Sequence, residues 1–324
     1  MSMAKQEPGR YAAQTRDGRP KAAATVLGAV VLAGMMLAGC SIKQMAVNMV
    51  ADSVAEGGGV YASDDDPELI REALPFGLKT YESLLGQSPQ HMGLLLATAK
   101  GFVSYAYMLQ QEADQLDESD LSRARAERQR ASKLYLRGRD YALRGLEVSH
   151  PGFRTNLQHD LAATLAQTTK DDVPYLYWAG AGWAGALSAD KNNMDLVADL
   201  PTAAALVGRV LALDDGFEAG AADEFFIAYE GGRPNGDLKA ARRHYERALA
   251  LSKGERASVY VALAEAVSVR QQDPVEFRAL LAKALAVDPD KVPEIRVANV
   301  LAQERARWLG QHIPKLFATA ELTE

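Results

Sequence analysis

From Pro67 to Leu309 the apolar residues recur with the three- to four-residue spacing of an α-helix, in one segment after another. This pattern limits the fold most, because it leaves no stretch of alternating apolar and polar residues bounded by tight two-residue turns. The sequence therefore predicts an all-α protein. The predicted helices are Pro67–Leu85, Met92–Ala113, Leu121–Val148, Thr155–Gln167, Pro174–Ala189, Met194–Leu213, Glu218–Tyr229, Asp237–Leu251, Arg256–Arg270, Pro274–Val287 and Pro293–Leu309.

An acidic run at residues 63–67 predicts where the first helix begins. Asp66 is placed to cap the helix, Pro67 suits the first helical position, and Glu68 complements the helix dipole. Calcium binding is the alternative for three adjacent aspartates. The ligands of a calcium loop alternate around a glycine, however, and this run has neither feature, so capping is preferred.

Two segments about 36 residues apart repeat a pattern typical of the second helix of a tetratricopeptide repeat. The positions are Ala241, Tyr245, Ala248 and Leu249 in the first copy, and Phe277, Leu281, Ala284, Leu285 and Pro289 in the second. Weaker copies lie at residues 146–151 and 210–216. We therefore expect degenerate tetratricopeptide-like helical hairpins, stacked into an α-solenoid or a compact superhelical bundle. An irregular helical bundle is the alternative.

Residues 1–39 have the organisation of an export signal, with five basic residues before an apolar run. That run ends in Leu37-Ala38-Gly39-Cys40, which resembles the lipobox of bacterial lipoproteins. The resemblance implies cleavage before Cys40 and acylation of this cysteine, and Ser41 after it implies the inner leaflet of the outer membrane. An uncleaved signal-anchor helix is the alternative. Both interpretations place the body of the protein outside the cytoplasm.

The sequence thus predicts three parts. Residues 1–39 form a lipoprotein signal peptide, and residues 40–62 form a lipidated N-terminal segment and flexible linker, with Gly57–Gly59 as a joint. Residues 63–324 form the helical-repeat domain.

Local signatures of chemistry are missing from the sequence. Cys40 is the only cysteine, which excludes an internal disulfide and any multi-cysteine metal site. The five histidines are scattered, and no nucleophile elbow, P-loop or dinucleotide fingerprint occurs. Without residues 1–39 the chain carries nine more acidic than basic residues, which argues against nucleic acid as a partner. We expect no enzyme activity, cofactor or metal, although a site gathered by folding leaves no local signature.

Residues 171–201 combine aromatic side chains with three glycines, Gly180, Gly182 and Gly185, in one predicted helix that Asp172 precedes in the manner of a cap. Glycine inside a helix costs about 1 kcal/mol relative to alanine, so it suggests close approach to another backbone or to a ligand. A tightly packed core helix pair is one interpretation. The other is a cavity for an amphipathic or apolar small molecule. Its predicted lining is Tyr175, Trp178, Trp183, Asn192, Asn193 and Asp195.

A second aromatic segment precedes the loop at residues 231–236, whose glycines and proline mark a defined turn. The loop is placed to present Arg233 to an acidic partner, although a plain helix connector is the alternative. The predicted partner-binding residues are Glu224, Phe226, Tyr229 and Arg233.

Six segments in order resemble the T component of tripartite ATP-independent periplasmic (TRAP) transporters. They are the lipobox at Cys40, SDDDPELIREALPFGLKTYESLL, GFVSYAYMLQ, YWAGAGWAGALSADKNNMDLVADLP, EFFIAYEGGRP and PEIRVANVLAQERARWL. The resemblance extends from about Ser63 to Phe317. It implies a periplasmic lipoprotein of tetratricopeptide-like hairpins that forms a homotrimer, has a pore or cavity through each protomer and associates with a periplasmic solute-binding protein.

On this resemblance we expect a membrane-anchored transport accessory that docks a solute-binding protein. A small apolar ligand would bind or pass near Trp178 and Trp183. The alternative is a structural tetratricopeptide-repeat lipoprotein that scaffolds outer-membrane or envelope assembly.

Overall fold

The computed structural model describes residues 45, 47–53, 55, 57–116 and 120–318. The predicted signal peptide and Cys40 lie outside the described residues. The chain divides into two compact units, Met1–Ala46 and Val47–Glu324, and all the helices named below belong to the second.

Within the described residues the second unit is built from helices without strands, which confirms the all-α prediction. The α-helices are α1 (Gly58–Ala62), α2 (Pro67–Gln87), α3 (Met92–Gln115), α4 (Leu121–Ser149), α5 (Phe153–His159), α6 (Leu161–Ala166), α7 (Val173–Ala189), α8 (Met194–Leu213), α9 (Ala221–Gly232), α10 (Leu238–Leu251), α11 (Ala257–Leu263), α12 (Val269–Gln271), α13 (Pro274–Leu285), α14 (Arg296–Gln311) and α15 (Ile313–Leu316). Short 3₁₀ turns lie at Lys170–Asp172, Phe217–Ala219 and Pro293–Ile295, and a π-helical turn lies at Ala264–Ser268.

The start of α2 follows the prediction from the acidic run. A carboxylate oxygen of Asp66 accepts hydrogen bonds from the amides of Glu68 and Leu69, each at 3.0 Å. Pro67 occupies the first helical position, where its missing amide proton leaves no hydrogen bond unmade. The Gly57–Gly59 run, expected to be a flexible joint, lies at the start of helix α1.

Four predicted helices differ from the observed ones. The helix predicted from Pro293 begins at Arg296, after a 3₁₀ turn. The helix near Thr155–Gln167 is two helices, because the Asp160 side chain accepts from the Ala163 amide at 3.0 Å and begins α6 there. The helix predicted from Glu218 begins at Ala221, because residues 218–220 have positive φ angles and leave the right-handed helical region. The segment over residues 256–270 is interrupted by the π-helical turn.

Helices α3, α4, α7 and α8 pack in succession as antiparallel neighbours around the first apolar core. Glycines set their spacing. A Cβ atom on Gly182 would lie 2.9 Å from the Tyr135 carbonyl oxygen of α4, and one on Gly180 would lie 2.8 Å from the Ala203 carbonyl oxygen of α8. The predicted close backbone approach is therefore between α7 and its two neighbouring helices.

A second apolar core lies among α9 to α15. Helix α14 joins the two cores, because its Val297 and Leu301 are buried in the first core whereas Ala302 and Leu309 are buried in the second. The succession of helices thereby closes on itself, with α14 packed against α2 and α3.

Two described helices, α3 and α8, have the length and apolar composition needed to cross a membrane. Both are packed against neighbouring helices in the first core, and a core helix meets the same length and composition criteria.

Candidate functional site

The three aromatic residues predicted to line a cavity turn toward different neighbours. Trp178 packs edge-on against Tyr177 at 5.2 Å between ring centroids, and the Lys100 ammonium lies 5.5 Å from the Trp178 ring centroid. Trp183 is five residues further along α7 and donates its indole hydrogen to Asp199 of α8 at 3.1 Å. Trp178 therefore faces α3, whereas Trp183 lies about 140° further around the helix and faces α8.

Tyr175 is a core residue on a third side of α7. Its hydroxyl donates to the Met92 carbonyl at 2.9 Å, and its ring packs closely against Gly145 of α4. Burial, with a smaller contribution from Asp172, raises the pKa of Tyr175 to about 12.

The polar residues of the predicted cavity lie at the start of α8. The Asn193 side chain accepts hydrogen bonds from the amides of Asp195 and Leu196, at 3.2 and 3.3 Å, and therefore caps this helix. Asn192 and Asp195 are exposed. Ligand binding by the six predicted residues stays a prediction, because their side chains do not converge on one space.

Asp172 is buried and does not cap α7 as the sequence suggested. Its carboxylate accepts from the Thr169 amide at 2.8 Å and lies 2.9 Å from Nε2 of His150. The aspartate therefore stabilises the 3₁₀ turn before α7, because it accepts a hydrogen bond from the Thr169 amide at the start of that turn.

The predicted partner-binding residues are engaged within the chain. Arg233 pairs with Glu230 at 2.7 Å and lies 5.1 Å from the Tyr229 ring centroid. Phe226 stacks on His244 at 5.1 Å, and Glu224 pairs with Arg256 at 3.4 Å. Their role in partner binding stays a prediction.

A group of polar and aromatic side chains, of which only Glu224 was among the predicted site residues, lies where α3 faces the C-terminal helices. We call it the inner seam. It comprises Lys100, Tyr107, Asp114, Tyr177, Glu218, Glu224, Arg256, Glu265 and Arg305. Its α3 members are seven residues apart, at 100, 107 and 114, so they form a stripe along one face of the helix. This seven-residue spacing of Lys100, Tyr107 and Asp114 was the signal available in the sequence.

Ion pairs across the inner seam join distant parts of the chain. Arg305 of α14 lies 2.6 Å from Glu265 of the π-helical turn and 3.2 Å from Asp114 of α3. Burial alone would lower the pKa of Arg305, but these two carboxylates outweigh it and raise that pKa. At the other end, Lys100 pairs with Glu218 at 3.3 Å. Because each of these cations has a carboxylate partner, the network holds the closed arrangement together.

Tyr107 is the more exposed of the two tyrosines in the inner seam. The residue is 40% exposed, yet burial by the surrounding protein, reinforced by Glu265, raises its pKa above the ordinary range. Burial, with Glu218 and Glu224, likewise raises the pKa of the partly buried Tyr177. Solvent therefore reaches the inner seam at Tyr107.

The π-helical turn contributes Glu265 to the inner seam. Gly231 of α9 packs so closely against the turn that an added Cβ atom would lie 2.6 Å from the Ala266 carbonyl oxygen. Single π turns inside α-helices recur at functional sites. In the part of the chain that the structure describes, no group of three His, Cys, Asp or Glu side chains is arranged to hold a metal ion.

Two surface pockets lie outside the inner seam. One, of ≈ 200 Å³, lies between α2, α3 and α14 and has a charged rim. The other is an apolar groove of ≈ 420 Å³ between α13 and α14. Neither is lined by any of the residues predicted to bind a ligand or a partner.

Comparison with known proteins extends the family resemblance. A family profile described as TRAP transporter T-component matches residues 63–317. An uncharacterized protein of Treponema pallidum (strain Nichols) is 30% identical over 305 residues, which cover 87% of this chain and 94% of that protein. The chain belongs to the TRAP transporter T-component family.

Proposed function

We propose that this protein is a lipid-anchored periplasmic accessory of a TRAP-type transport system, which docks a solute-binding protein and passes a small apolar or amphipathic ligand through the inner seam. The family match over residues 63–317 carries the transport assignment. The family has an accessory role in transport, and we propose no catalytic step for this member.

The mixed aromatic and charged lining of the inner seam supports the ligand route. Tyr177 contacts Phe217 at 5.3 Å and Trp178 at 5.2 Å between ring centroids, so aromatic faces border the charged network. Apolar surface with a few fixed polar groups is the usual lining of a small-molecule site. Of the two tryptophans predicted to bind a ligand, Trp178 borders this lining through Lys100, whereas Trp183 does not.

The lipobox at Cys40 and the export signal support the anchor and the compartment. We propose acylation at Cys40, attachment to the inner leaflet of the outer membrane and a homotrimeric assembly. The trimer and the solute-binding partner follow from the family resemblance.

Crosslinking in cells tests the docking role. C-terminally tagged full-length protein is crosslinked in native membranes and purified, and the captured proteins and the N-terminal peptide are identified by mass spectrometry. We expect a periplasmic solute-binding protein and an acylated Cys40 peptide. Capture of β-barrel assembly or cell-wall proteins in its place would favour the envelope-scaffold alternative and overturn the transport role.

A fluorescent apolar probe, N-phenylnaphthylamine, tests the ligand route. We expect the wild-type protein to bind it, and Tyr107→Trp to weaken binding at least fivefold, because the larger ring would narrow the proposed route. Leu121→Trp is the matched control, because Leu121 is 64% exposed at the start of α4. Equal probe binding by wild type and Tyr107→Trp would exclude the route through the inner seam.

A further inference from the structure

The groove between α13 and α14 has the shape that a third helix would fill. Along α13 its lining residues are 278, 281, 282 and 285, which are spaced as one face of a helix. Along α14 they include residues 306, 307 and 310, and Ile313 follows at the start of α15. The two helices are antiparallel, because Gln303 of α14 donates to the carbonyls of Leu285 and Val287 at the end of α13.

The floor of the groove is apolar and one of its walls is uncovered. Leu281, Ala306 and Ile313 are buried beneath it, whereas Leu285 is 41% exposed. Leu249 occupies the corresponding position of the preceding repeat copy and packs against the second core. Leu285 is more exposed than Leu249 because no described helix stacks on the outer face of α13 and α14, where the next unit of a helical array would lie.

Two arginines flank the groove without ion-pair partners. Nearly every other arginine that the structure describes pairs with a carboxylate or donates to a carbonyl. Neither Arg278 nor Arg307 makes an ion pair or hydrogen bond with the residues that the structure describes. Glu304 is within electrostatic reach of Arg307 but forms no ion pair with it. An apolar groove with two unpaired cations on its rim complements an amphipathic segment that carries negative charge.

We propose that the α13–α14 groove docks an acidic amphipathic helix of a partner protein. Leucine-like side chains of that helix enter the space over Leu281 and Leu285, and its carboxylates pair with Arg278 and Arg307. The groove lies outside the inner seam, so this docking does not rest on the proposed ligand route or on the transport role.

A synthetic peptide probe tests the proposal on the full-length protein in detergent. The probe is a fluorescent 14-residue helix with leucines at i, i+3, i+4 and i+7 and glutamates elsewhere. A second peptide keeps the leucines and replaces every glutamate by lysine. At low salt we expect the acidic peptide to bind at least tenfold more tightly by fluorescence anisotropy, and equal binding of the two peptides would overturn the proposal.

Gly310→Leu closes the groove from within. A Cβ atom on Gly310 meets only the Leu281 side chain, at 3.9 Å, and leucine is a better helix former than glycine. The variant should fold and lose peptide binding at least tenfold. Gly86→Leu is the matched control, because an added Cβ at this α2 position has nothing within 4 Å. Unchanged peptide binding by Gly310→Leu would contradict the proposal.

Charge reversal gives a second test that does not depend on filling the groove. The double variant Arg278→Glu/Arg307→Glu should prefer the lysine peptide, whereas Arg125→Glu, at an exposed position of α4, should keep the wild-type preference. Two further results would assign another occupant and overturn the proposal. Loss of self-association in Gly310→Leu, measured by sedimentation velocity, would show that a second copy of the protein occupies the groove. Tighter peptide binding after removal of residues 319–324 would show that the chain's own terminus occupies it.

Discussion

The two apolar cores of this protein use the same two kinds of contact in different proportions. Around the first core, helices approach through several glycines, as at Gly180 and Gly182, where neighbouring backbone atoms leave no space for a side chain. Around the second core, one such helix contact occurs at Gly231, and charged pairs join other helices, as between Arg242 of α10 and Glu276 of α13 at 2.6 Å. Backbone contacts fix the helix spacing rigidly, whereas side-chain ion pairs can lengthen and reform. We therefore expect the first core, which has more of the backbone contacts, to be the more rigid of the two.

The largest expected effect comes from a substitution that disrupts a glycine contact between helices of the first core. Gly182→Val should destabilise the protein by about 3 kcal/mol, because the new side chain meets backbone atoms of Tyr135 and Arg139 that cannot move aside. Urea unfolding followed by circular dichroism measures the loss. Gly86→Val in α2 is the control and should leave stability nearly unchanged. Similar stability of the two variants would show that the glycines do not set the helix spacing.

A smaller loss of stability is expected from substitutions at equivalent positions of the two repeat copies around the second core. Leu249→Ala should cost about 1.5 kcal/mol, because Leu249 packs against that core. Leu285→Ala should change stability by less than about 0.5 kcal/mol, because Leu285 is 41% exposed at the open groove. Both values come from urea titration. Equal losses would mean that the groove is covered in solution.

The smallest effect concerns the charged contacts and depends on pH. Hydrogen bonds from Arg242 and Ser268 lower the pKa of Glu276 against the opposing effect of burial. A carboxylate with a lowered folded-state pKa stabilises the protein fully above its unfolded pKa, about 4.3, and this stabilisation is lost as the pH falls through the folded pKa. We expect a contribution of at most about 1 kcal/mol, because the Arg242 side chain is over a third exposed.

Glu276→Gln should therefore lower the urea midpoint at pH 6 and leave it nearly unchanged at pH 3. Glu72→Gln, at an exposed position of α2, is the control. A midpoint difference for Glu276→Gln that is the same at both pH values would show that lost packing, rather than lost charge, causes the effect.

Local patterns predicted most of the fold. The helical spacing located nearly every long helix, and the cap at Asp66 was confirmed because the caps and apolar faces of helices depend on residues close in sequence. Predictions failed where the same local signal has two outcomes. Asp160 lies inside the helix predicted over residues 155–167, but its side chain caps a new helix. Residues 218–220 adopt positive φ angles that their sequence did not indicate.

The inner seam was not predicted because its members come from helices far apart in the chain. Asp114 and Arg305 meet only because α14 returns to α3, and no periodicity within either helix contains that information. The ligand-binding role of the α7 aromatic residues stays a prediction. Helical spacing already places Trp178 and Trp183 about 140° apart around α7, but it does not show which neighbouring helix each ring meets.

Closure by α14 has a consequence for the order of folding. The Arg305–Asp114 contact joins residues 191 positions apart, and contacts of such high sequence separation form late because their loop-closure entropy is large. A chain that folds from its N-terminus therefore keeps the face of α3 open until its last long helix docks. Detachment of α14 would reopen this face and would also remove Val297 and Leu301 from the first core and Ala302 and Leu309 from the second, so contacts in both cores oppose its local opening.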